Sequence, residues 1–421
     1  MTYPNNEQNQ TGRSTLPTVQ DMVEARRRMT GIIDMTPLAG SEYISSAWGC
    51  RVLFKLENLH STGSFKERGA LNKLLTLTDS ERLRGVITAS AGNHGQAVAF
   101  HARRLDIKTT VVMPVNTPLI KAENTKMAGA SVMLHGANYD ESAARAREIC
   151  RDENLVYIHP FDDSQVIAGQ GTLGLEMLEQ NPGIDLVVVP VGGGGLIAGV
   201  AMTLKAAKSK IRVVGVQSDR LPSMITAIRD GAPITLEPAR TIADGIAVRR
   251  AGGLTLQIVQ RYVDEIVTVS DDEIANAILL MLEREKAVVE GAGAVGVAAM
   301  HNRRIPGVEG KTVAVILSGG NIDVNMLSRV IDKGLVKDGR LAKLRVVVPD
   351  HPGQLSHILG IIAKSRANIL EISHQRAFSE ARVGETSIDL VLETRGNNHI
   401  NDMCERLMDA GVRATRQMEN R

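Results

Sequence analysis

The chain has 421 residues, of which 43% are hydrophobic and 23% charged, a composition that supports packed cores and excludes wholesale disorder. Lys and Arg total 49 against 47 Asp and Glu, for a net charge of +2, and aromatic residues are only 3%. Neither figure suits a protein that neutralises nucleic-acid phosphates or stacks on bases. No apolar run approaches the roughly 20 residues of a membrane-spanning helix. Cys50, Cys150 and Cys404 form no paired pattern, and the polar opening residues lack a secretory pattern, so the expected setting is the cytoplasm.

Residues 1–16 read as a flexible tail. From 17 to 335, short β-branched runs predict strands at Arg51–Glu57, Val86–Ser90, Thr109–Met113, Ser131–Leu134, Asp185–Val191, Ile211–Gln217 and Thr312–Leu317. Helical spacing fills the gaps, as in Glu67–Leu77, Gln96–Leu105, Asn138–Asp152, Val166–Glu179 and Leu196–Ala207. This alternation predicts an α/β architecture with parallel sheets, and its length predicts two lobes, a smaller one at about 85–160 inserted in a larger. Residues 336–342 read as a charged linker. After it come a strand Leu344–Val348, a turn Asp350–Gly353, a helix Gln354–Ser365, strands Ile369–Ser373 and Thr386–Leu392, a helix Asp402–Ala410 and a strand Val412–Gln417. That order, βαββαβ over 343–421, predicts a ferredoxin-like unit.

Four motifs lie where strands give way to helices. In Ser64-Phe65-Lys66-Glu67-Arg68-Gly69, Lys66 opens a helix, whose dipole disfavours the ammonium form and favours the neutral amine of a Schiff-base lysine. Alone, it reads better as a solvated surface lysine in a first turn. Ser90-Ala91-Gly92-Asn93-His94-Gly95 is a polar loop whose free N–H groups suit a carboxylate, or a capped turn satisfied locally. Gly192-Gly193-Gly194-Gly195-Leu196 lacks both the dinucleotide fingerprint and the Lys-Ser/Thr of a P-loop. A cradle for one small phosphate fits it better than one for a pyrophosphate, with a flexible structural loop as the other reading. Ser318-Gly319-Gly320-Asn321 puts a neutral hydroxyl at a strand end, and an ordinary turn explains it equally well. Together the motifs line one edge of an open sheet, where ligands bind.

In this order and at these separations, the motifs resemble those of the threonine/serine dehydratases, the fold-type II, tryptophan-synthase-β-like pyridoxal-phosphate enzymes, over about 17–335. Residues 343–421 resemble an ACT domain through Asp350-His-Pro-Gly353 and Ala367-Asn-Ile369. The resemblance implies pyridoxal 5'-phosphate bound covalently by Lys66, which also takes the substrate α-proton. It implies Phe65 on the pyridine ring, Asn93 on the 3'-oxygen, Gly192, Gly193, Gly194, Gly195 and Leu196 round the phosphate, and Ser318 at the pyridine nitrogen. Ser90, Asn93 and His94 would form the substrate-carboxylate loop, with Ser90 a second catalytic candidate. Phe161-Asp-Asp163, Gly169-Gln-Gly171 and Ala243-Asp-Gly245 also match stretches near the family's active site. A serine at the nitrogen makes a weaker electron sink than a carboxylate, which favours β-elimination over a long-lived carbanion.

The implied activity is dehydration and deamination of L-threonine or L-serine to a 2-oxo acid and ammonia. The alternatives are a serine or aspartate racemase, a 3-hydroxyaspartate lyase, or an inactive amino-acid sensor. The racemases place a serine where this chain has Ala91, which argues against them. Metal-binding relatives use acids after the Ile211 strand. Gln217 and Ser223 stand at two of those places and only Asp219 remains, so no divalent metal is expected. Expected partners are a small hydroxy amino acid, an amino-acid effector at the ACT unit and further copies of the chain in a homodimer or homotetramer, with no nucleic acid or membrane.

Overall fold

The computed structural model describes residues 16–375 and 382–417. The expected tail lies outside these residues apart from Leu16. The chain divides into two compact units, Met1–Ile322 and Asp323–Arg421.

In the first unit, β1 (Leu38–Gly40) and β2 (Arg51–Leu56) precede a block of four strands, β3 (Val86–Ala89), β4 (Thr109–Met113), β5 (Ser131–Leu134) and β6 (Val156–Tyr157). Then follow β7 (Leu186–Pro190), β8 (Arg212–Ser218), β9 (Glu265–Val269) and β10 (Thr312–Leu317). The block forms its own parallel sheet in the order β5-β4-β3-β6. The others form a six-stranded sheet, β1-β2-β10-β7-β8-β9, parallel except for β1. The Val-rich strands are buried from both sides: every residue of β3 and β7 is buried. The Gly- and Ala-rich helix Gly291–His301 packs close to the large sheet because Gly296 leaves room, a Cβ there lying 2.9 Å from Val315. The short β1 and β6 and the half-exposed β9 carry too little apolar pattern to be predicted.

In the second unit, β11 (Leu341–Pro349), β12 (Asn368–Gln375), β13 (Glu385–Glu393) and β14 (Arg413–Gln417) make an antiparallel sheet, β12-β13-β11-β14. With helices Gln354–Lys364 and Asn397–Asp409 the order is the ferredoxin-like βαββαβ, and Leu344, Val346, Ile358, Leu390, Met403 and Leu407 share one core. The second helix starts five residues before the predicted Asp402, because its first turn, Asn397-Asn-His, is polar and shows no periodicity.

Two boundaries differ from expectation. Residues 336–342 are no linker: they are the end of helix Val324–Lys337, a turn, and the start of β11. Their charge belongs to an exposed helix end, which Gly339 stops at φ +68°. The first unit ends at Ile322 rather than 335, because helix Val324–Lys337 packs on β11.

Beneath the Lys66 motif of the first unit lies a buried charge network. The Arg68 fork donates to Glu57 at 2.6 and 2.9 Å and to Glu176 at 2.6 and 2.8 Å. Lys55 Nζ donates to Glu176 at 2.9 Å and to the Thr36 carbonyl at 2.7 Å. Arg68, Lys55 and Glu57 are all at or below 1% exposed. Burial alone would raise the Glu57 carboxyl, but Arg68 and His60 outweigh it and hold that group well below the usual range. Two carboxylates face two cations, so removing one member strands a buried charge. Arg68→Met is therefore expected to destabilise the first unit by about 3–5 kcal/mol. Denaturant unfolding followed by circular dichroism checks this against exposed Arg229→Met, expected to change stability by less than about 0.5 kcal/mol.

Candidate active site

Lys66 is the first residue of helix Lys66–Leu75, and the residues around it explain its placement. Glu67 turns back to accept from the Thr62 N–H and meets His101 Nε2 at 3.1 Å. Arg68 enters the buried network. The preceding Phe65 N–H donates to the Ser318 carbonyl at 3.0 Å, and Ser64 bridges Gly319. The lysine and hydroxyl motifs thus meet directly at the carboxyl ends of β2 and β10.

Lys66 Nζ donates to the Pro160 carbonyl at 2.8 Å. Burial lowers its pKa to about 8, while the negative charge of Glu290 pulls the other way. Burial therefore disfavours the ammonium form in the same direction as the helix dipole. Phe161, next along from Pro160, packs on the glycine loop, where a Cβ on Gly193 would run into its ring. The loop lies between β7 and helix Gly195–Ala207, and Gly194 caps that helix at φ +99° without a side chain. The first N–H groups of the helix therefore have neither an intrahelical acceptor nor a side-chain cap. The Gly193 carbonyl is anchored by the Thr255 hydroxyl at 2.6 Å and the Gly252 N–H at 3.2 Å. Asp162 caps helix Gly253–Tyr262 through the N–H groups of Gly253, Leu254 and Thr255, and Asp163 caps helix Ser164–Gln180. Gly169 and Gly171 serve helix packing, with a Cβ on Gly169 only 2.5 Å from the Arg68 carbonyl.

The asparagine loop joins the same cluster. Asn321 Nδ2 donates to the Thr62 carbonyl at 2.7 Å and to Asn93 Oδ1 at 2.8 Å, which uses both its protons. Asn93 Oδ1 is thereby the acceptor, and its Nδ2 donates to Glu290 Oε1 at 2.7 Å with one proton to spare. Ser90 Oγ bonds within its own loop, accepting from Gly92 N at 3.2 Å. His94 is 3% exposed, with Nε2 3.1 Å from the Ile158 carbonyl and Nδ1 buried without a partner. Burial, then Lys66, lowers its pKa to about 3, so the ring is neutral.

Glu290 is the residue that sequence reasoning missed. It is 5% exposed, and burial followed by Asp244 raises its carboxyl to about 7. The only sequence signal was an acid just before the small-residue run Gly291-Ala-Gly293. Asp244 itself pairs with Lys121 at 2.7 Å. Both ends of the Gln217 amide are engaged: Nε2 donates to the Val191 carbonyl at 3.3 Å, and Oε1 accepts from Met224 and Ile225 N–H. A carboxylate could not make the first of these bonds. Among the described residues no three metal-ligating side chains cluster.

The site fits a small aldehyde cofactor bearing one phosphate. It offers a buried amine of lowered pKa, an uncapped glycine cradle that Cβ atoms would block, and the buried, unpartnered Ser64 hydroxyl. In the cofactor-free chain, reductive methylation of Lys66 by formaldehyde should rise with pH through about 8, because only the neutral amine reacts. Glu290→Gln removes the charge that supports the ammonium form, so the midpoint should move lower. Mass spectrometry of the Lys66 peptide measures both.

A family model described as "Pyridoxal-phosphate dependent enzyme" matches residues 29–319. The chain is 48% identical over 393 residues to an L-threonine ammonia-lyase of Thermotoga maritima, covering 93% of this chain and 97% of the relative. Among solved structures, maize serine racemase superposes with a TM-score of 0.72 at 34% identity, covering 77% of this chain and 99% of that one. The processed form of threonine deaminase isoform 2 from Solanum lycopersicum gives 0.70 at 34% identity, with 77% and 98% covered.

Proposed function

The chain belongs to the pyridoxal-phosphate dependent enzymes, and on that premise we propose that it is an ammonia-lyase converting L-threonine, and L-serine, to 2-oxobutanoate or pyruvate and ammonium. The observation that carries this reading is the near-full-length similarity to an L-threonine ammonia-lyase, combined with an intact Lys66 and glycine cradle.

When bound, pyridoxal phosphate supplies the electron sink that acidifies the α-carbon of an amino acid. Lys66 is the residue that bonds it, and Gly192, Gly193, Gly194, Gly195 and Leu196 are those that hold the phosphate. Phe65 is assigned to the ring face, Asn93 through its spare amide proton to the 3'-oxygen, and Ser318 to the ring nitrogen. Lys66 Nζ, with its pKa lowered to about 8, can take the α-proton near neutral pH. The loop Ser90–His94 presents backbone N–H groups to the substrate carboxylate, and the neutral His94 ring is held by the Ile158 carbonyl at 3.1 Å. Loss of the β-hydroxyl as water leaves an enamine, whose hydrolysis after release adds water and frees ammonium. A neutral hydroxyl at Ser318 favours this elimination, since charge leaves with the hydroxyl instead of resting on the ring.

The serine racemase likeness raises a second reading. Racemisation needs a proton donor on the face opposite Lys66. Ala91 offers only a methyl group, and the Ser90 hydroxyl is engaged with Gly92. General acid–base help is worth roughly 10²–10⁴-fold, so racemisation should be a minor side reaction. Incubation with L-threonine and L-serine should give 2-oxobutanoate and pyruvate with equimolar ammonium, and Lys66→Ala should abolish both. Chiral chromatography should find D-serine far below pyruvate, with Ala91→Ser raising it. D-Serine matching pyruvate would reverse the assignment.

We assign the second unit to regulation and assembly: an ACT-like module that pairs with its copies in a homodimer or homotetramer and takes an amino-acid effector near Asp350–Gly353 and Asn368. Support comes from its separate core and its βαββαβ order, with no residue of the catalytic cluster. We place the chain in the cytoplasm, a reducing setting that suits the free Cys50, Cys150 and Cys404; separately, among the described residues no helix is long and apolar enough to cross a membrane. A chain ending at Gly339 should keep L-threonine turnover but change in oligomeric state or effector response, as measured by light scattering and kinetics with added amino acids.

A further inference from the structure

The second unit contains a cavity of about 190 Å³ between the end of helix Gln354–Lys364 and the first turns of helix Asn397–Asp409. Its wall carries Lys364, Arg366, Arg395 and Arg406 against a single carboxylate, Asp402. The ion pairs described in this unit join Asp389 to Lys343 and Arg345, and among the described residues none of the four wall cations has a carboxylate partner. All four are exposed, so water screens part of their mutual repulsion, and an anion between them relieves the remainder.

The floor is built, not incidental. His399 Nδ1 accepts from the Arg395 N–H at 3.0 Å, and its Nε2 lies 2.7 Å from the Ser365 carbonyl. A backbone N–H only donates and a carbonyl only accepts, so the ring is the neutral Nε2–H tautomer and ties the two walls together. Arg366 sits at φ +60°, the left-handed position that closes helix Gln354–Lys364 and where glycine is the usual residue. An arginine is held there against its backbone preference, on the cavity wall. Helix Asn397–Asp409 begins at Gly396 with no side-chain cap, and the Asn397 amide oxygen is taken by Arg416 at 2.9 Å.

We propose that this cavity binds a compact phosphate-class anion, the phosphate or diphosphate group of a small metabolite. Its volume equals about six waters at ~30 Å³ each, enough for a diphosphate, while any larger organic part must project into solvent. Guanidinium forks match the oxygens of a phosphate in pairs, and several cations favour a multiply charged ligand over a zwitterionic amino acid. The cavity lies at the end of the sheet opposite Asp350–Gly353, the end where Asn368 bonds Glu393, and it uses no residue of the catalytic cluster.

The test is isothermal titration calorimetry of the full-length holoenzyme with sodium diphosphate and, separately, inorganic phosphate, at constant ionic strength. One site per chain is expected, with diphosphate the tighter ligand. Arg395→Ala and Arg406→Glu should each weaken binding roughly tenfold or more, the scale of a lost charge-assisted hydrogen bond. Lys364→Ala is a further wall variant, and unchanged melting temperatures confirm that all three fold. Absence of saturable heat up to roughly 10 mM diphosphate overturns the proposal. So does binding that survives these replacements, which would place the anion elsewhere on the chain.

Discussion

Arg68 stands two residues after Lys66, and its guanidinium joins Glu57, just after β2, to Glu176 on helix Ser164–Gln180. That fork fixes the first turn of the helix that carries the reactive amine. A helix end held only by apolar contacts could slide by a fraction of an ångström, whereas paired, directional bonds between buried charges cannot slide without stranding one of them. Lys55 shares Glu176, so the network also locks β2 of the large sheet to its covering helix. Glu67 adds a second anchor through Thr62 and His101. In Lys66-Glu67-Arg68, one residue is free for chemistry because the next two are wholly committed to structure.

Small residues do the same work on the other side of the site. The glycine loop, Phe161 and the Asp162 cap form one interlocked set, in which Gly193 and Gly195 make room for Phe161 and Gly252 for Asp162. Burial then sets the electrostatics. The same exclusion of water lowers Lys66 towards neutrality, keeps His94 uncharged and raises Glu290, so the site is poised for proton movement near pH 7–8. Glu290 is bonded to Asn93 and lies close enough to Lys66 to oppose the effect of burial on it, which couples the asparagine loop to the amine.

The second unit is built on a different principle. An antiparallel sheet with two amphipathic helices needs only one apolar layer, and Leu344, Val346, Ile358, Leu390 and Leu407 supply it. Its remaining surface is free to carry charge. That freedom is where the cluster of Lys364, Arg366, Arg395 and Arg406 arises, outside anything the catalytic unit requires.

The amino-acid sequence by itself determined the alternation of strands and helices, the βαββαβ order of the last unit and the four motifs at the strand ends. These depend on local propensity and short-range periodicity, which any window of the chain displays. It left open three short or half-exposed strands, β1, β6 and β9, whose pairing is decided by neighbours distant in sequence. It misplaced the boundary at 335–343, because a polar helix end and a polar linker have the same composition. Only the tertiary structure showed that Arg68 spans Glu57 and Glu176, that Glu290 meets Asn93 across 197 residues, and that burial lowers Lys66 against the charge of Glu290. Such facts are sums over contacts between remote segments, and a charge's environment does not exist until the chain has folded around it.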